Sequence, residues 1–306
     1  MSEVEPAQRC ESPYTAVMTG SLRFSAPTPL EYFESLVAED ASFSLTEVAV
    51  SLAQDSEPGL DVQSVLAEID VLAERLKRRI PADAVAVQKL RWLNHYFFQD
   101  LGFAGNVNDY YAADNSYLHS VLTSRRGIPI TLAILYMEFA TQIGMTAHGI
   151  SFPGHFLVKL SMSQGEVVID PFTGRSLARD ELDELLAPYK RRSGLQGSFD
   201  VPLGLFLQGA PPRDVVARML RNLKEIHRTA QHLPRLLQVL NRLVILLPTA
   251  WDERRDRGLV CADLGDDPTA VSDLGTYLEQ APDAPDHQAV AERLAEVVRR
   301  GSSRLH

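Results

Sequence analysis

His155 and Asp170 are the two residues of this chain whose types and spacing can do chemistry together. His155 follows Phe152-Pro153-Gly154 at the opening of one apolar strand, and Asp170 closes the next. Ser163-Gln164-Gly165 between them suits a hairpin turn. Adjacent antiparallel strands would set the imidazole against the carboxylate on one face. These are two of the three groups of a thiol acyl-transfer apparatus, in which a Cys attacks a carbonyl carbon, a His takes its proton and a carboxylate orients the His. The Cys is best placed at a helix N-terminus, where the helix dipole favours its thiolate. An apolar helix does precede His155, but it starts Gly127-Ile128-Pro129-Ile130-Thr131, and no Cys occurs between residues 11 and 260. The sequence outlines a scaffold and a cleft more clearly than it outlines a reaction.

The residues at that helix start also have structural roles. Pro129 fits the first helical turn, where a missing N–H is no loss. Thr131 and Ser124 are the nearest hydroxyls. A hydroxyl nucleophile needs strong base assistance and an oxyanion hole, so the expectation for Thr131 is that it satisfies the helix's first turn. Gly127 supplies a turn, and Gly154 serves either close packing or room for a ligand. Spacing alone does not separate a working His–Asp pair from a chance pair on a hairpin. His148, His155 and Asp170 form at most a weak metal set, because His148 is expected to point elsewhere on the sheet and a site needs three converging ligands. The expectation is no metal and no cofactor. His95, beside Trp92 and Tyr96, reads as a core or surface histidine.

The elements that position these groups follow from the apolar pattern. Residues 1–26 are polar and small and read as a flexible N-terminal tail. Helices are expected at 29–38, at 44–54, from the Asp61 cap through Ile80 to the stop at Pro81, and from Val87 to Leu101. Segment 102–116 is a turn-rich loop carrying Tyr110 and Tyr111, either a binding loop or, as favoured here, an ordinary packed one, and a short helix over 116–124 follows it. The apolar helix 129–144 should be the most buried of its domain. Strands are expected at 147–152, 155–160 and 166–170, then a helix at 179–189 and a linker over 191–213. Beyond it, Pro234 and Pro268 lie 34 residues apart, as do Pro248 and Pro282, and Leu240 and Leu274 keep the same offset. That period predicts helix-turn-helix units at 215–248 and 249–282, of the tetratricopeptide kind, with a last helix at 286–300 as a cap. So short a stack should lean on the first domain.

Composition bounds the partners. A chain of 306 residues with 45% apolar and 23% charged residues is an ordinary globular protein with room for two domains. A net charge of −10 argues against nucleic acid as the main partner. The basic cluster Lys190-Arg191-Arg192 reads as a solvated helix end. The longest apolar stretch, from Ile128 to Phe139, is too short to span a bilayer and contains Glu138. Cys10 and Cys261 make no disulfide or metal spacing, and no secretory leader is evident. The expectation is a cytoplasmic protein without a membrane span.

Three words of the sequence, Arg126-Gly127-Ile128-Pro129, Phe152-Pro153-Gly154-His155-Phe156-Leu157 and Ile169-Asp170-Pro171-Phe172, with Asn115-Ser116-Tyr117-Leu118 upstream, together resemble the SirB1 family. The resemblance covers about residues 30–283. It implies an α+β fold, with a mainly helical, transglutaminase-like core carrying a small antiparallel sheet (27–190) and a C-terminal tetratricopeptide-like module (214–300). It matches His155 and Asp170 to the His and Asp of a transglutaminase triad, and it puts the Cys position at Pro129. Two functions are open. One is a pseudoenzyme, an interaction or regulatory protein that binds a protein or peptide partner through the old cleft and the repeat surface. The other is an active hydrolase or acyl transferase with a non-Cys nucleophile, Thr131 being the weak candidate and His155 the base.

Overall fold

In the computed structural model, which describes residues 26–163, 165–195 and 201–303, the apolar segment after Gly127 folds as one helix, α6 (Pro129–Gln142). Every residue from Pro129 to Met137 is buried, as are Phe139 and Ala140. A helix apolar all round must be enclosed on all sides. Of the N-terminal helices α1 (Pro29–Val37), α2 (Leu45–Ser51), α3 (Val62–Lys77), α4 (Ala86–Asn94) and α5 (Leu118–Ser124), α2, α3 and α5 pack directly on α6, and Tyr136 OH donates to Asn94 Oδ1 of α4 at 2.5 Å. The one acid of α6, Glu138, accepts a hydrogen bond from Thr46 Oγ1 at 2.6 Å.

The Asp61 carboxylate caps α3 by accepting from the Gln63 and Ser64 amides. The helix ends at Lys77, so Ile80 falls in the turn before Pro81 and not in the helix as its spacing suggested. The helix anticipated to run through Leu101 changes character. α4 gives way to a π-helical turn over His95–Asp100. That wider turn lets two successive rings pack inward, Phe97 stacked on Phe103 and Phe98 on Tyr136.

Two short strands that the sequence did not announce, β1 (Ala104–Gly105) and β2 (Arg126–Gly127), pair in parallel and tie the 102–116 loop to the start of α6. The main sheet has four antiparallel strands in sequence order: β3 (Thr146–Ile150), β4 (Leu157–Met162), β5 (Gly165–Asp170) and β6 (Arg175–Leu177). β4 opens at Leu157, so His155 precedes the strand instead of starting it. Both faces are covered. Phe156, Val158, Leu160 and Ile169 join the large core with α6, while Leu157 and Val168 pack against Leu182, Leu186 and Leu203. Those leucines come from α7 (Arg179–Arg192) and α8 (Leu203–Phe206). Part of the stretch expected as a linker thus packs on the sheet: Leu203 lies against it, and Ala210 N–H donates to Gly149 O at 2.8 Å. Lys190, Arg191 and Arg192 occupy the last turn of α7, opposite in sign to Asp180 and Glu181 in its first, as the helix dipole favours. The expected tail, up to residue 25, lies outside the described residues.

The repeats are helix pairs. α9 (Pro212–Thr229) and α10 (Leu233–Leu246) precede α11 (Trp251–Leu264) and α12 (Asp267–Gln280), and α13 (His287–Ser303) closes the stack. α10 and α12 start 34 residues apart and end 34 residues apart, as the prolines predict. α9 and α10 share the large core with α1, α2 and α6 through Val215, Leu220, Leu223, Leu240 and Leu243. The fold is α+β, mainly helical with a small antiparallel sheet. No described helix is long and apolar enough to cross a membrane.

Candidate functional site

The turn Phe152-Pro153-Gly154-His155 is closed by His155 N–H donating to Phe152 O at 3.0 Å. Pro153 and Gly154 occupy its two central positions, and Gly154 has φ +73°, the pattern of a type II turn. An added Cβ at Gly154 would meet nothing within 4 Å, so the backbone angle and not packing demands glycine there. The turn delivers His155 to the N-terminal end of β4, and antiparallel pairing puts the C-terminal end of β5, with Asp170, beside it. His155 Nε2 lies 2.9 Å from Asp170 Oδ1. The carboxylate only accepts, so Nε2 carries a proton in either state of the ring, and in the neutral ring the lone pair is on Nδ1.

Asp170 is held in turn by its own loop. Oδ1 also accepts from the Phe172 amide at 2.9 Å, and Oδ2 accepts from Thr173 Oγ1 at 2.8 Å. Its side chain is nearly buried while that of His155 stays about a quarter exposed. Burial acts to raise the Asp170 carboxyl, but the hydrogen bond and charge of His155, with Thr173 and the Phe172 amide, outweigh it and hold the pKa below the usual carboxylate value. This pair can orient an imidazole and move a proton at Nδ1.

The rest of the constellation does not converge on it. Pro129 is the first residue of α6 and buried. Thr131 is fully buried; its hydroxyl accepts from the Ile128 amide at 3.2 Å and lies 2.8 Å from Asn115 O and 3.0 Å from Ile128 O. Neither His155 nor Asp170 is among its partners. Ser124 is exposed, and its hydroxyl donates to Ser120 O. His148 is exposed on β3, in register with Lys159 of β4. Among the described residues no group of three or more His, Cys, Asp or Glu is placed to hold a metal ion. Cys261 is buried in α11, where burial pushes its thiol up to about 11. Cys10 lies outside the described residues.

Residues from several elements surround the pair. Arg218 of α9 donates to His155 O at 2.7 Å, to Ser151 Oγ at 2.8 Å and to Phe152 O at 3.3 Å, clamping the turn from the repeat side. Gly105 approaches Phe172 so closely that a Cβ would fall 2.3 Å from the ring, and its N–H donates to Phe172 O at 3.0 Å. Tyr110 packs near Phe172, with ring centroids 6.0 Å apart, and Tyr111 beside it is 79% exposed. Thr173 had a local signal, since Asp followed by a hydroxyl three residues on is a common turn lock. Arg218, distant in sequence, had none.

A His–Asp pair on a covered antiparallel sheet beside a buried helix is the geometry that comparison with known families tests. The transglutaminase-like superfamily matches residues 63–221. The chain belongs to the transglutaminase-like superfamily. A tetratricopeptide repeat match follows at residues 223–295. Among similar proteins is a UPF0162 protein of Xylella fastidiosa (strain Temecula1), 35% identical over 245 residues, which cover 80% of this chain and 86% of that protein. A UPF0162 protein of Pseudomonas aeruginosa is 26% identical over 263 residues, covering 86% of this chain and 94% of the other. UPF0162 protein YchA of Escherichia coli K12 is 26% identical over 227 residues, covering 73% and 81%. A transglutaminase-like domain joined to tetratricopeptide repeats fits a protein-interaction role.

Proposed function

We propose that this transglutaminase-like, SirB1-like protein is a pseudoenzyme, an interaction or regulatory protein. It binds a protein or peptide partner through the cleft beside His155 and Asp170 and through the surface of its repeats. The observation that carries this reading is the start of α6. Where a thiol enzyme of this kind needs an exposed Cys, the chain has Pro129, and the nearby Thr131 hydroxyl is buried and bonded to backbone. His155 and Asp170 without a thiol or hydroxyl in reach are the base and its orienting carboxylate with no triad nucleophile to activate. In this reading residues 27–190 form the core and 214–300 the repeat module. The partner is neither nucleic acid nor membrane, in keeping with the net charge of −10, and the compartment is cytoplasmic.

The test is hydrolysis and acyl transfer on a broad peptide and ester panel, comparing wild type, Thr131→Ala and His155→Ala. The expected result is no turnover above background in any of the three. Turnover in wild type that disappears in both variants would replace this reading with an enzyme using a hydroxyl nucleophile and His155 as base.

A further inference from the structure

α9 carries Asp214, Arg218 and Arg221 at helical spacing, so they share one face. That face, with Leu205, Phe206 and Leu247, lines an open groove of about 650 Å³, a volume typical of ligand clefts. Arg218 stands between this groove and the His155 turn. Its hydrogen-bond partners carry no charge: all three bonds go to neutral oxygens, those of Ser151, Phe152 and His155. Its guanidinium lies 5.4 Å from the centroid of the Phe156 ring.

The neighbouring cations are treated differently. Arg213 meets Asp40, Arg221 and Lys224 meet the buried Glu253, and Arg242 meets Asp55. The chain has 40 acidic residues against 30 Lys and Arg, so carboxylates are in excess. A half-buried guanidinium with no carboxylate partner among the described residues is therefore an uncompensated charge. Burial pulls its pKa down, as expected for a desolvated cation without a counter-ion. Arg221, one turn further on, spends its Nε on Glu253 and is otherwise exposed.

From this juxtaposition we infer that the groove between α8 and α9 binds an acidic peptide segment. The side-chain carboxylate of the partner meets Arg218 and Arg221, and an apolar neighbour packs on Phe206 and Leu247. The inference rests on the protein-binding reading and adds the chemistry of the partner. Asp214, at the other end of the same face, admits acid at the Arg218 end and disfavours it one turn earlier, which gives the groove a polarity.

The test uses the full chain and a phage-displayed random peptide library, followed by fluorescence anisotropy of the selected peptides. Selected peptides should carry Asp or Glu next to a leucine or aromatic residue. Replacing that acid by its amide should weaken binding about tenfold, and replacing it by lysine should abolish it. Arg218→Met tests the cation directly, but it also removes the clamp on the turn. Leu205 is 56% exposed on the groove rim and permits charge changes that spare the core. Leu205→Lys should tighten and Leu205→Glu weaken the acidic peptides, each about threefold, with both effects fading in high salt. Selected peptides without acid, or affinities indifferent to the Leu205 charge, would overturn the inference while leaving a protein-binding role intact. A library that yields no binding peptide would remove both.

Discussion

His155 stays aimed at Asp170 because restraints act on it from several sides. The Gly154 backbone angle sets the turn, Thr173 and the Phe172 amide fix the carboxylate, and Arg218 holds the His155 carbonyl from another element. The pair is thus part of the packing whatever its chemistry. His155→Ala strands a nearly buried carboxylate and should lower stability by about 1–3 kcal/mol, read from urea midpoints. It should also change the pH profile. The Asp170 carboxyl is held below 3.8 in the folded protein, so its contribution is present above that value and is lost as pH falls through the folded pKa. Acid unfolding should be shallower in His155→Ala than in wild type over that range. Identical acid limbs would mean the pair is not coupled to folding.

At the scale of elements, helix contacts in the repeats depend on where small residues fall. Gly258 of α11 is buried against α12, and a Cβ there would lie 2.8 Å from Leu274 Cδ2 and 3.1 Å from Asp273 Cβ. Gly275 of α12 faces open space. The two alanine substitutions should therefore have opposite signs. Gly258→Ala should cost about 1–3 kcal/mol by overpacking. Gly275→Ala should gain about 0.5–1 kcal/mol through helix propensity. Thermal unfolding of the two variants checks both, and a shared sign would refute the packing argument. The same contact presents Asp273 to Arg257, which makes two charge-assisted bonds to it at 2.6 and 2.8 Å.

For the whole molecule, the decisive feature is one apolar core running from α1 to α10. Arg242, fully buried in α10, reaches Asp55 before α3 with two bonds at 2.6 and 2.7 Å, and Arg213 donates to Val37 O at the end of α1. A fragment ending at residue 190 would expose the faces that α9 and α10 cover. It should aggregate or lack the fixed tertiary signals of the full chain, as near-ultraviolet circular dichroism would report. A fragment that folds alone would show the repeats to be an independent attachment. His227 of α9 is buried near Arg235 and His232, and burial first, then the Arg235 charge and the nearby His232 ring, lowers its pKa from 6.5. The unfolded chain binds the proton more tightly, so stability should be full above about pH 6.5 and fall below it until the folded ring is protonated. His227→Leu should flatten that slope in chemical denaturation series, and an unchanged slope would assign it to other groups.

Much of this was legible in the chain itself, wherever the cause was local. The apolar run of α6, the Asp61 cap and the prolines that start and stop the repeat helices are statements about neighbours in sequence, whereas Gly154, read as packing or ligand room, proved to be set by its backbone angle. The juxtaposition of His155 with Asp170 was also readable, because a hairpin brings its own strands together. The β1–β2 pairing, the π-helical turn at His95–Asp100 and the exact start of β4 were not, because each is chosen by packing partners far away in the chain. Arg218 is the clearest case. Sequence marks it only as a charge on an amphipathic helix, and its separation from carboxylates beside the His155 turn exists only once α9 has docked on the sheet. Local chemistry is written in neighbouring residues, whereas desolvation and charge pairing depend on which distant surfaces meet.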